Sequence, residues 1–319
     1  MPAISCSAPG KVILCGEHAV VYQKPAIAIP VFEGSTKCSI VAKPTAPHDE
    51  TMIIAPNIAL KCQLRCLVEN HPIRTAVNLV LQKLSLDHLP VCEIRIQSTL
   101  PTAAGLGSSA STSVALIRAL STFLGRSLSD EEVNSLAFEI EKIHHGTPSG
   151  IDNTVITYAK TLFFIKARAS EFILPGEPLT LVIADTGIKG STSKAVADVK
   201  LGFNTEPEKF GMLINQIGEL VYSSKDFLIN GDLRSLGNNL TKNHELLREM
   251  GVSCDKLDLL VDDALSHGAL GAKLSGGGQG GIMIALVESD QAESVASALR
   301  SKGAVNTIIT HVPAKGQTG

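Results

Sequence analysis

Apolar positions along this chain recur with two periods, and the switches between them mark out its elements. Residues 11–15, 26–31, 36–42 and 91–98 have the composition of extended segments, whereas 72–84 carries helical spacing. A second helical pattern runs over 113–124, where Val114, Leu116, Ile117, Leu120 and Leu124 fall on one face. Ser129-x-x-Glu132 is a capping-box signal, and it opens a helix to about His144 with Val133, Leu136, Ala137, Ile140 and His144 on one side. The turn Pro175-Gly-Glu-Pro178 then precedes a strand-like run at 179–185 and is the predicted domain boundary. Beyond it the pattern predicts helices near 191–201, 207–228, 233–250 and 256–267. Strands follow at 269–275, 281–287 and 305–312, with a helix at 289–302 between the last two. This order predicts an α+β chain of two domains, 1–178 and 179–319, that share a cleft.

Composition narrows the function classes. At 319 residues the chain is long enough for two separate cores. A net charge of −3, no Trp and three Tyr argue against nucleic-acid binding, which favours clustered cations interleaved with aromatics. The start, Met-Pro-Ala-Ile-Ser-Cys, lacks the charged and apolar regions of a signal peptide, and no apolar run reaches the length of a membrane span. A cytoplasmic protein without membrane partners is expected. The seven cysteines lack framework spacing, and Cys62-x-x-x-Cys66 has no second Cys/His pair nearby, so reduced thiols are expected rather than zinc.

Between the strand at 91–98 and the helix at 113–124 lies Pro101-Thr-Ala-Ala-Gly-Leu-Gly-Ser-Ser-Ala-Ser111. Glycines there permit backbone shapes that a Cβ forbids, and the first N–H groups of the helix point outward, which suits a phosphate. A P-loop would need a lysine, and none lies between Ile94 and Leu128. Gly105, Gly107 and Ala110 fit the Rossmann spacing, but the first acid afterwards, Asp130, heads a helix rather than ending a strand. A plain strand-to-helix turn of small residues stays open beside the phosphate loop.

Three further segments bear on that choice. Lys11, Glu17 and His18 interrupt an otherwise apolar or turn-forming stretch, where they would be either surface decoration or functional groups. Glu141 follows Ile140 at the edge of the predicted buried face, where a carboxylate is costly unless it meets a cation. Past it the helix is expected to stop at Gly146, and Pro148 and Gly150 shape a turn that aims Asp152. Finally, Lys273-Leu-Ser-Gly-Gly-Gly-Gln-Gly-Gly-Ile282 holds five glycines between two strand-like runs, where a hairpin needs one or two. Two glycine-rich loops, a carboxylate at a buried edge and a turn-borne aspartate together suggest phosphoryl transfer from a nucleotide with Mg²⁺.

Three ordered blocks, Pro9-Gly-Lys through His18, Pro101 through Ser109, and Gly271 through Gly281, resemble the GHMP kinases, named for galactose, homoserine, mevalonate and phosphomevalonate. Within the family, Gly16-Glu-His-Ala-Val-Val-Tyr22, His145-Gly-Thr-Pro-Ser-Gly-Ile-Asp-Asn153 and Asp185-Thr-Gly-Ile-Lys-Gly-Ser-Thr-Ser-Lys194 are similar to the mevalonate-phosphorylating branch. The resemblance implies a ribosomal-S5-like N-terminal domain and a ferredoxin-like C-terminal one. It also implies ATP as co-substrate, Mg²⁺ as cofactor, mevalonate as acceptor and a homodimer. By that resemblance Ala103, Ala104, Gly105, Leu106, Gly107, Ser108 and Ser109 wrap the ATP phosphates, and Asn57 and Ser98 contact the nucleotide. Ser109 and Glu141 hold Mg²⁺, Asp152 takes the proton of the primary hydroxyl, and Lys11 sits beside it. Glu17, His18 and Thr192 lie near mevalonate or the γ-phosphate. A sibling kinase for phosphomevalonate or homoserine, the related diphosphomevalonate decarboxylase, and a non-catalytic ligand sensor on the same fold are the alternatives. Ser111-Thr112 departs from animal members, which often carry an aromatic there.

Overall fold

The computed structural model describes residues 3–47, 50–101, 104–145, 148–166 and 168–316. In chain order the elements are β1 Ile4–Cys15, β2 Ala26–Ala42, β3 Met52–Ala55, β4 Leu60–Gln63, α1 Pro72–Leu84, β5 Cys92–Ser98, α2 Ser108–Phe123, α3 Asp130–His145 and α4 Ile151–Tyr158. Then come β6 Leu162–Phe164, β7 Glu171–Phe172, β8 Leu179–Asp185, α5 Thr192–Thr205, α6 Pro207–Asn230, α7 Leu233–Glu249, α8 Asp255–Ser266, β9 Gly271–Ser275, β10 Ile282–Val287, α9 Ala292–Ser301 and β11 Asn306–Val312. The expectations for Ala103, for a helix end at Gly146, for Thr147 and for the His144 and His145 side chains fall outside the described residues.

Two compact units emerge, and they interleave along the chain. One takes residues 1–10, 34–102 and 107–159; the other takes 11–33, 103–106 and 160–319. β1 and β2 therefore each give one segment to each unit.

In the first unit, β2 pairs antiparallel with β5 from Thr36↔Ser98 to Ala42↔Cys92, β5 runs parallel to β3, and β3 pairs antiparallel with β4. Helices α1 to α4 pack on one another, and α2 also packs on β5. Their shared core runs through Ile40, Ile53, Val80, Ile94, Val114, Ile117, Leu120, Val133, Ala137 and Ile140, each fully buried. The capping box forms reciprocally: Ser129 N–H donates to Glu132 Oε2 (3.0 Å), and Glu132 N–H donates to Ser129 Oγ (3.3 Å). That starts α3 at a fixed register and so sets the direction of Glu141.

The second unit is built on a four-stranded sheet in the order β11-β8-β10-β9, with all its neighbours antiparallel. Strand, helices, strand, strand, helix, strand in that spatial order is the ferredoxin-like arrangement. The four helices α5 to α8 lie between β8 and β9 in sequence, and α7 and α8 pack on β9. β9 and β10 are apolar throughout apart from Lys273 and Ser275, and every residue in both is buried.

Candidate active site

In the first unit, Gly107 (φ +71°) precedes α2 as its N-cap residue, and no side chain caps the helix. The free N–H groups of its first turn thus stay available to an anion, and the helix dipole favours one there. Ser109 lies in that first turn. Its hydroxyl donates to Glu141 Oε1 on α3 at 2.5 Å, and Glu141 is 2 % exposed. The carboxylate expected at the edge of the buried face is fully inside. A serine hydroxyl beside a carboxylate is an all-oxygen donor pair, which suits a hard cation such as Mg²⁺ that completes its shell with phosphate oxygens and water. Among the described residues no group of three or more His, Cys, Asp or Glu forms a metal cage, so any cation would depend on such a shared shell.

Asp152 occupies the first turn of α4, where the sequence predicts only a turn. Gly150 (φ +92°) is the N-cap residue, and the eight-residue helix is tied down by α3. Asn153 Nδ2 donates to Asn134 Oδ1 (2.6 Å), and Thr154 Oγ1 donates to the Gly150 carbonyl (2.6 Å). A half-buried carboxylate at a helix start is favoured by the dipole and held by rigid neighbours. The structure also joins Asn57 and Ser98, as a pair that largely satisfies itself. Asn57 Nδ2 donates to the Ser98 carbonyl (2.8 Å), and Ser98 N–H donates to Asn57 Oδ1 (2.9 Å).

In the second unit, Lys11 is buried on β1 and its N–H donates to the Leu106 carbonyl (3.0 Å). Gly105 (φ +91°) has room for a Cβ, which would meet Ser275 O only at 3.6 Å, so conformation rather than space selects glycine. At the end of β1 the opposite holds for Gly16 (φ +103°), whose Cβ would fall 2.5 Å from Pro25 O. His18 follows with φ +60°, a left-handed shape that a side-chain-bearing residue keeps only when its surroundings hold it. They do hold it. His18 Nε2 contacts the Gly277 carbonyl at 3.0 Å, and Glu17 accepts from the Lys273 ammonium. Both Glu17 and His18 are buried, not surface decoration. Thr192 starts α5 behind the Ser191 cap and stands against Gly277, where an added Cβ would lie 2.8 Å from Thr192 Oγ1.

Burial pushes the His18 imidazole down to about 4, more than the Gly277 carbonyl restores, so the ring is neutral near pH 7. His244 on α7 is likewise pushed down to about 4 by burial, with Asp258 at 3.2 Å opposing. Burial pushes the Cys15 thiol up to about 12, which makes it inert. Of the seven cysteines, all free, Cys66 is exposed and Cys15, Cys38 and Cys92 are buried.

Lys273, Asn134, Ser275, which bonds to the Ile13 backbone, and Asn243, whose Oδ1 accepts from Gly16 N–H (3.4 Å), take structural parts in these sites that the sequence did not assign. The available signal was a lysine inside the apolar run Gly271-Ala-Lys-Leu-Ser275, since a fully buried lysine needs an acidic partner.

The sheet-and-helix units and the uncapped helix after the glycine-rich loop define a class, and its family models match in chain order. The model for the GHMP kinases N terminal domain matches residues 70–160, and that for the GHMP kinases C terminal matches residues 224–305. The chain belongs to the GHMP kinases, ATP-dependent kinases of small molecules. Its relatives include the mevalonate kinase of Pyrococcus furiosus, 34% identical over 98% of this chain and 97% of that protein. The mevalonate kinase of Pyrococcus horikoshii is 36% identical, with 98% and 96% covered. Among solved structures, L. major mevalonate kinase in complex with R-mevalonate superposes with a TM-score of 0.84 at 35% identity, covering 98% of this chain and 97% of that one. The galactokinase of Lactococcus lactis, at 18% identity and a TM-score of 0.78, shares the fold alone.

Proposed function

We propose that this chain transfers the γ-phosphoryl group of ATP, with Mg²⁺, to the 5-hydroxyl of (R)-mevalonate, giving 5-phosphomevalonate for isoprenoid synthesis. The observation that carries the reading is near-complete coverage of mevalonate kinases at 34–36% identity, including one solved with R-mevalonate. A primary alcohol does not ionise at neutral pH, so a carboxylate must take its proton as the bond to phosphorus forms, and we assign that role to Asp152. Lys11 stabilises the negative charge that develops. Ala103 to Ser109 hold the phosphates, with Asn57 and Ser98 toward the nucleoside. Ser109 and Glu141 would hold Mg²⁺, which when bound screens the phosphate charge. Glu17, His18 and Thr192 face the acceptor.

We extend the reading to a cytoplasmic homodimer; among the described residues no helix is long and apolar enough to cross a membrane. The chain-order halves 1–178 and 179–319 we retain as the two domains, with one glycine-rich loop in each. An ATP-coupled assay is the test. ADP release that requires (R)-mevalonate, and is weak with phosphomevalonate, homoserine and galactose, is the expected result. Failure with mevalonate but turnover of a sibling alcohol would reassign the substrate. Ligand binding without any turnover would identify a sensor.

A further inference from the structure

Among the described residues, Lys273 is the largest side chain wholly removed from solvent. Lys273, Ser275 and Gly277 alternate along β9 and the loop beyond it, so the two side chains share one face of the strand. That face holds the turn at residues 13–18 at three points. Ser275 Oγ donates to the Ile13 carbonyl (2.9 Å) and accepts from Ile13 N–H (3.0 Å). Lys273 donates to Glu17 Oε1, and Gly277 O meets His18 Nε2. The ammonium also donates to the Leu274 carbonyl at 2.5 Å.

These partners determine what the turn can present. A carbonyl only accepts, so His18 Nε2 carries the ring proton and Nδ1 is left as an acceptor. Nδ1 is buried with no hydrogen-bond partner in the protein. Glu17 Oε2 is also buried without a full hydrogen bond, although the backbone N–H of Gly276 favours charge on this carboxylate. Burial works the other way and pushes the Glu17 carboxyl up, and the Lys273 ammonium is the largest influence pulling it back. Every neighbour of the carboxylate that bonds to it is a donor. Two adjacent residues thus keep buried acceptor atoms whose complement is a hydroxyl hydrogen, since an anionic oxygen would be repelled.

We propose that Lys273 is a positioning residue for the acceptor substrate: it holds Glu17 ionised, so that Glu17 and neutral His18 together accept from a substrate hydroxyl and reject an anion at that point. This rests on the kinase reading for the identity of the alcohol. It does not rest on it for the state of Glu17. The titratable groups that interact with Glu17 are Lys273 from β9 and Cys15 from β1, while the charge of Lys273 also lowers the pKa of His18 in the turn and of His244 of α7.

The test is a cycle of Lys273→Met, Glu17→Gln and the double variant, read by kinetics and by infrared difference spectra. In Lys273→Met the buried carboxyl should take up a proton, so a protonated-carboxyl band absent from the wild type at neutral pH should appear, and vanish when Glu17→Gln is added. The KM for mevalonate should rise about tenfold or more while that for ATP changes less than about twofold, and raising the pH should restore it. In the Glu17→Gln background, Lys273→Met should add little. Equal penalties in both backgrounds, or a protonated-carboxyl band already present in the wild type, would overturn the proposal. Should Lys273→Met fail to fold, the double variant is neutral at both positions and is compared with Glu17→Gln. A shared acceptor KM supports the proposal, and a several-fold worse one in the double variant overturns it. The spectra need no turnover, so they stand even if the wild type proves inactive on mevalonate, an outcome that would reject only the substrate assignment.

Discussion

Each compact unit buries a carboxylate, and the two are partnered in opposite ways. Glu141 accepts from the hydroxyl of Ser109, whereas Glu17 accepts from the ammonium of Lys273. A hydroxyl that donates one bond keeps lone pairs, so the Ser109–Glu141 couple can turn two oxygens toward a hard cation. An ammonium has none. The Glu17 couple therefore offers one oxygen rather than two, its second carboxylate oxygen, as an acceptor beside a fixed positive charge. On the proposed reading, the metal-holding couple and the proton-accepting Asp152 belong to the first unit, whereas Lys11 and the groups that recognise the alcohol belong to the second.

The largest effect should come from the first unit. Asp152→Asn is expected to lower turnover by roughly 10²-fold or more while nucleotide affinity and acceptor KM stay near the wild type. Stopped-flow and equilibrium titration separate these quantities, and a pure KM effect would erase the contrast between units. Next in size, Glu141→Gln and Ser109→Ala should raise the Mg²⁺ concentration for half-maximal rate by about tenfold, in line with losses of metal affinity on altering a site. An unchanged Mg²⁺ requirement in both variants would remove that couple from the metal site. Lys273→Met should leave the same requirement untouched, which separates the two carboxylates directly.

The smallest effect concerns acid. His18 and His244 both belong to the second unit, and burial depresses each to about 4 against an ordinary 6.5. Below pH 6.5 the unfolded chain takes up protons that these native imidazoles refuse until near pH 4. The stability they contribute is therefore complete above 6.5 and is lost as the pH falls toward 4. Between pH 6.5 and 5 this amounts to about 1–2 kcal/mol for each histidine. Denaturant unfolding at pH 7 and pH 5 should show the loss, and hydrogen exchange should place it around β9 and α7 first. His18→Gln should remove one share, and a slope unchanged by that variant would contradict the assignment.

Elements with a complete local signal were legible in the sequence. Residues 72–84 and 179–185 form α1 and β8 with the expected bounds, and the Ser129–Glu132 box closes as its spacing requires. β3 and β4 were not legible, because four-residue strands show too little alternation and draw their stability from pairing with each other and with β5. The front of β1 hides behind Pro9 and Gly10. α4 was hidden by Pro148 and Gly150, which signal a turn, and by a face-less burial in which six of its eight residues are inside. The Pro175–Pro178 turn reads as a boundary, yet the chain changes compact unit after Ala159, because residues 160–178 pack with the later elements of the second unit. For the site, residue types and glycine loops were visible. The role of Lys273 was not, since its partner lies 256 positions away in the chain.

The glycines of the β9–β10 loop carry a consequence for anyone tracing this fold through genomes. A Cβ on Gly278 would lie 1.9 Å from the Val252 carbonyl, and one on Gly280 would lie 2.6 Å from that of Ile188. Those collisions are with the protein's own backbone. A descendant that had abandoned kinase chemistry would still need these glycines to fold, and would go on displaying the family signature. Asp152, the base proposed above, has a neutral substitute of nearly the same shape in asparagine, so nothing comparable retains it once turnover ceases to matter. Retired members of the lineage should therefore be recognised by the loss of that carboxylate, long before the glycine loop decays.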